Sequence, residues 1–121
     1  MRKIEIISVP VTDQQKAKEF YLKVGFQVIV EAPMDATQLW VQLGFPGAET
    51  SITLVTWFKD MKPGCLDGLV ISSKDIASDI KDFSSKGIKM SEIQNTPWGK
   101  FSHFADPDGN SWMLHEQTSN I

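Results

Sequence analysis

Cysteine occurs once in this chain and histidine twice, and both shortages restrict the chemistry open to it. The single cysteine, Cys65, excludes an internal disulfide and suits a reducing cytoplasm. It follows Pro63-Gly64 in a connector with no histidine beside it, so it reads as a bystander thiol rather than a nucleophile. Basic runs are missing too, and a net charge of −3 offers nucleic acid no complementary surface. No apolar stretch approaches the ~20 residues of a membrane span. Met1-Arg2-Lys3-Ile4-Glu5 runs directly into a strand and leaves no space for a signal peptide. What remains is a chain of 121 residues, enough for one domain with a real core and too short for two.

The apolar pattern repeats. Ile4–Val11 is β-branched and apolar, which predicts a buried strand. Thr12 or Asp13 then caps a helix whose apolar positions Ala17, Phe20, Tyr21 and Val24 lie on one face, and Gly25 ends it. Phe26–Glu31, Gln38–Leu43 and Ser51–Trp57 follow as strands, separated by Ala32-Pro33-Met34-Asp35 and Gly44-Phe45-Pro46-Gly47. After the connector Lys59–Gly64 comes a second apolar strand, Leu66–Ile71, then a capping box at Ser72 and Asp75. Ile76, Ile80 and Phe83 form the stripe of a second helix ended by Gly87. Gly25 to Gly87 and Gly47 to Gly109 are the same 62 positions apart, as are Val9 and Ile71. The chain therefore reads as βαβββ twice: one α+β domain over 1–121, with internal units 1–58 and 65–121 joined by linker 59–64. Each unit is a small sheet with one helix on one face. Two such sheets form a curved mixed surface, a cup with helices outside, and a concave apolar cup is a default ligand site.

The closing hairpin can be read from its turn chemistry. Asp106-Pro107-Asp108-Gly109 is what a type I turn prefers, and a following left-handed glycine makes the common three-residue loop. If Asp106 pairs with Asn110, Phe104 faces Trp112, His103 faces Met113 and Phe101 faces His115. Alternation then puts Phe104 and Trp112 on one face, and His103, Met113, Phe101 and His115 on the other.

With strand order, repeat and turn in hand, the chain resembles the vicinal oxygen chelate superfamily, the glyoxalase, bleomycin-resistance and extradiol dioxygenase-like proteins. The resemblance rests on Ser8-Val9-Pro10-Val11-Thr12-Asp13, Ala17, Phe20-Tyr21, Gly25-Phe26, Thr96-Pro97-Trp98-Gly99 and Phe104-Ala105-Asp106-Pro107-Asp108-Gly109-Asn110, and covers essentially the whole chain. It implies a tandem βαβββ fold, commonly a homodimer, holding a divalent metal in enzyme members and a drug in resistance members. Carried over by position, the metal-ligand places fall on Ile6, Gly68, Met113 and, nearby, Thr53. These side chains cannot build the oxygen and imidazole shell of a divalent ion, and a one-residue slip supplies no histidine. No metal and no cofactor are therefore expected.

By alternation the cup presents Ile4, Ile6 and Ser8, then Thr53, Val55 and Trp57, then Gly68 and Val70, with Phe101, His103, Met113 and His115 from the hairpin. Trp98, between Pro97 and Gly99, is the candidate stacking aromatic, set against plain loop packing. Trp112 reads as core. His103 is the candidate catalytic base or ligand donor, and His115 a second ligand contact. The plainer reading makes both hydrogen-bonded fillers of a half-polar face, roughly 7–8 Å apart at Cα. Glu116 faces the other way and completes no metal set. Two functions follow: a cytoplasmic binder of an apolar or aromatic small molecule, or a lyase, isomerase or dioxygenase-like enzyme using His103 with or without a displaced metal.

Overall fold

A computed structural model describes residues 1–117; positions 118–121 of the expected second unit lie outside the described residues. The elements run β1(Ile6–Pro10), α1(Gln14–Val24), β2(Gln27–Pro33), β3(Leu39–Gly44), β4(Ser51–Val55), β5(Leu69–Ser72), α2(Ile76–Ser85), β6(Gln94–Thr96), β7(Gly99–Ala105) and β8(Ser111–Glu116). They make two four-stranded mixed sheets, ordered β1-β4-β3-β2 and β5-β8-β7-β6, with one parallel pair in each. This is the α+β tandem that the repeat predicts. No helix among the described residues is long and apolar enough to cross a membrane.

The first compact unit comprises Met1–Cys65 together with the turn Asp106–Asn110. Asp13, not Thr12, caps α1, its carboxylate accepting from the Gln15 and Lys16 N–H groups at 3.0 and 3.1 Å. The helix lays Ala17, Tyr21 and Val24 onto β3 and β4, where Val9, Val41, Leu43, Ile52 and Leu54 complete a core at most 5% exposed. Thr12 is engaged elsewhere: its backbone N–H donates to both Asp108 oxygens at 3.2 Å, and its hydroxyl to Oδ1. Behind it lies a buried network. Asp106 accepts from the Tyr21 hydroxyl at 2.7 Å, from Asn110 Nδ2 at 2.8 Å and from the Asp108 and Asn110 N–H groups at 3.0 and 2.9 Å. Asn110 Nδ2 also donates to the Pro10 carbonyl at 2.9 Å.

The second unit comprises Leu66–Ala105 and residues from Ser111 on. Its core is Ile76, Phe83, Ile88, Phe104, Trp112 and Leu114, each at most 5% exposed. Phe104 stacks on Trp112 at 6.4 Å and takes the Phe83 ring edge-on at 5.5 Å, so Trp112 is core as its place in the hairpin predicts. The cap of α2 is Asp75, which accepts from Ser78 N–H. Ser72 is no cap, because the parallel ladder with β8 runs on to Ser72–His115 and keeps Ser72 in β5. Glu116 Oε1 accepts the Ile76 N–H at 2.8 Å, and this settles its side chain on the helix face.

Strand ends differ from the pattern-based spans where the ladder stops. Ile4 precedes β1 and is exposed, since the first cross-strand pair is Ile6–Ser51. β4 ends at Val55, which leaves Trp57 in the following segment. β5 begins at Leu69, so Gly68 lies outside the strand. A register shift between Val28 and Val30 marks a bulge in β2 that periodicity does not reveal.

Candidate ligand-binding faces

In the first unit the pairs Ser8–Thr53 and Gln42–Thr53 put one row across β1, β4 and β3 on the face away from α1. Ile6, Ser51, Val55 and Trp40 share that face by alternation. Thr53 and Val55 are about 1% exposed, hence packed, while Ile6, Ser8, Trp40 and Gln42 are half-buried. The polar groups are linked. Trp40 Nε1 donates to Gln42 Oε1 at 3.2 Å, Gln42 Nε2 donates to Ser51 Oγ at 2.8 Å, and the Ser8 and Thr53 hydroxyls stand 3.5 Å apart. Beside them Trp40 and Trp57 stack with centroids 6.3 Å apart and planes at 22°, and Phe58 leans on Trp57 at 6.1 Å. Of this aromatic shelf the sequence reading placed Trp57 in the cup but not Trp40 or Phe58. The alternation Trp40-Val41-Gln42 beside Thr53 carried the signal for Trp40; Phe58 had none.

In the second unit the ladder pairs Gln94 with Phe101, Phe101 with His115 and His115 with Ser72, one row crossing all four strands on the helix-free face. The next row holds His103, Met113 and Val70. His115 stacks on Phe101 with centroids 4.5 Å apart, and its Nε2 lies 2.9 Å from the Trp98 carbonyl. Trp98 itself is 68% exposed at the tip of the β6–β7 turn. His103 is exposed and lines an open hollow of about 470 Å³ with Asp67, Lys89, Met90 and Ser91. Its imidazole has no hydrogen-bond partner among the described residues.

The resemblance implies a divalent metal at the places held here by Ile6, Gly68, Met113 and Thr53. Ile6 is a hydrocarbon, Gly68 has no side chain, Met113 offers a soft thioether and Thr53 a buried hydroxyl already facing Ser8. This donor set does not fit a divalent ion that prefers imidazole and carboxylate. Among the described residues no group of three or more His, Cys, Asp or Glu side chains is placed to hold one.

The two mixed sheets, each with its single helix, define a class of protein built from paired βαβββ units. Residues 3–114 match the Glyoxalase/Bleomycin resistance protein/Dioxygenase superfamily, and the chain belongs to it. It is 34% identical over 121 residues to the uncharacterized protein YetH of Bacillus subtilis (strain 168), covering 96% of this chain and 99% of that one. Among solved structures it is similar to TnmS3, an antibiotic binding protein from Streptomyces sp. CB03234, at 39% identity and TM-score 0.92, covering 98% of both chains. A glyoxalase/bleomycin resistance protein from the same Streptomyces strain is 40% identical, with TM-score 0.83 over 93% of this chain and 99% of that one.

Proposed function

We propose that this protein is a cytoplasmic, homodimeric small-molecule binder that takes up a largely apolar or aromatic compound on the helix-free face of its first sheet and works without a metal. The observation that carries this reading is the Trp40–Trp57 stack, extended by Phe58 and edged by Gln42, Ser51 and Ser8. Flat aromatic surface with a few hydrogen-bonding groups is what a small-molecule site requires. The resemblance to an antibiotic binding protein at 39% identity over 98% of the chain supports an antibiotic or similar metabolite as the ligand class. Ile6, Thr53, Gly68 and Met113 at the metal-ligand places support the metal-free part. A net charge of −3 favours a neutral or cationic compound over an anion.

Purified, untagged protein should contain less than a tenth of an equivalent of Ni, Zn, Mn or Fe by elemental analysis. It should also quench its tryptophan fluorescence saturably with a neutral aromatic antibiotic. One equivalent of metal, lost in His103→Ala, would establish the enzyme reading in its place.

A further inference from the structure

One imidazole nitrogen in the second unit is left as an oriented acceptor. The Trp98 carbonyl can only accept, so the 2.9 Å contact puts the proton on His115 Nε2. In the neutral ring Nδ1 then carries a lone pair, and it has no hydrogen-bond partner among the described residues.

The carbonyl is itself held in place. Thr96 Oγ1 donates to the Gly99 carbonyl at 2.8 Å and accepts from Trp98 N–H at 3.1 Å, which fixes the Pro97-Trp98 turn. Gly99 makes the approach possible. A Cβ there would stand 2.7 Å from His115 Nε2 and 2.3 Å from the Glu116 carbonyl, at a φ of +133° that side chains avoid. Phe101 covers one face of the ring at 4.5 Å, with planes 20° apart. His103 has none of these restraints.

We propose that His115 Nδ1 is an acceptor subsite for a hydroxyl or N–H on an aromatic ligand. The Ser72 hydroxyl and the Gln94 amide stand at the two ends of the same row. The subsite selects hydroxylated or N–H-bearing aromatics over plain hydrocarbons of the same size. It rests on the binder reading and goes beyond it by naming a discriminating group on the second sheet.

The test uses the full-length protein with 1-naphthol, which has the donor, and 1-methylnaphthalene, which lacks it. Long-range ¹H–¹⁵N spectra of the free protein should show His115 as the Nε2–H tautomer, and 1-naphthol should move its Nδ1 resonance. Tryptophan fluorescence should give naphthol about tenfold tighter binding, the worth of one hydrogen bond to an otherwise unpaired group. In His115→Phe, which keeps a ring on Phe101, the ratio should fall to about one. An Nδ1–H tautomer, or equal preference in wild type and variant, overturns the subsite while leaving the binder reading intact. Failure of both probes to bind overturns the binder reading and the subsite together.

Discussion

Asp106→Ala should be among the most damaging single substitutions in the chain, although the sequence presents this residue as an ordinary turn aspartate. The carboxylate is 5% exposed and takes four donors, two of them the backbone N–H groups of Asp108 and Asn110. The other two, the Tyr21 hydroxyl and Asn110 Nδ2, belong to residues 0% exposed, so water cannot readily replace the lost acceptor. A stranded buried donor costs about 1–3 kcal/mol. Asn110 Nδ2 keeps the Pro10 carbonyl and the backbone groups can rehydrate in part, which puts the total near 3–5 kcal/mol. At about 3–6 °C per kcal/mol for a chain of this size, the melting temperature should fall by about 10–30 °C. Tyr21→Phe removes one donor and leaves Oδ2 with Asn110, so it should cost about 1–2 kcal/mol. Urea denaturation followed by circular dichroism measures both. An Asp106→Ala variant within 1 kcal/mol of wild type, or less destabilised than Tyr21→Phe, would refute the reasoning.

Other substitutions probe other parts of the account. Gly64→Ala places a Cβ about 2.1 Å from the Asp108 carbonyl oxygen at a φ of +86°, and should destabilise by several kcal/mol in the same denaturation assay. Lys18 bonds Glu31 at 2.8 Å and, with Gln15, holds its carboxyl below the ordinary range. That contribution is present above the unfolded glutamate value and is lost as pH falls through the folded one. Lys18→Ala should therefore cost about 0.2–1 kcal/mol at pH 7 and almost nothing at pH 2, by urea titration at both. Trp57→Ala removes half of the stacked pair and should weaken binding of a neutral aromatic antibiotic at least tenfold, with a melting temperature shifted by only a few degrees.

Much of the fold was legible because local chemistry dictated it. The Asp-Pro-Asp-Gly turn fixes the hairpin register, and the pairs Phe104–Trp112, His103–Met113 and Phe101–His115 are those observed. Helix stripes and the glycine after α1 are read from spacing alone, and both helices lie where the repeat puts them. Bonds between distant positions are a different matter. Tyr21 and Asp106 are 85 residues apart, and nothing in either segment announces the other. The bulge at Val28–Val30 and the extension of β5 to Ser72 come from partner strands rather than from their own residues.

The candidate site was legible to the level of sheet faces and no finer. Alternation puts Ile6, Ser8 and Thr53 together, and likewise Phe101, His103, Met113 and His115. It says nothing of which residues pack closed, as Thr53 and Val55 do, or which rings become ordered, as His115 does through Trp98 and Gly99. Trp57 comes against Trp40, and Phe58 against Trp57, only after β4 ends, where no periodicity remains to read.

The most direct measurement is a tryptophan-fluorescence titration of chelator-treated protein with a panel of neutral and cationic polycyclic aromatic antibiotics. At least one compound should saturate with a micromolar or tighter Kd that is unchanged by added Ni²⁺, Zn²⁺ or Mn²⁺ and is lost when Trp40 and Trp57 are both replaced by alanine. Binding that appears only once a divalent ion is restored, or a panel in which nothing saturates, would contradict the account.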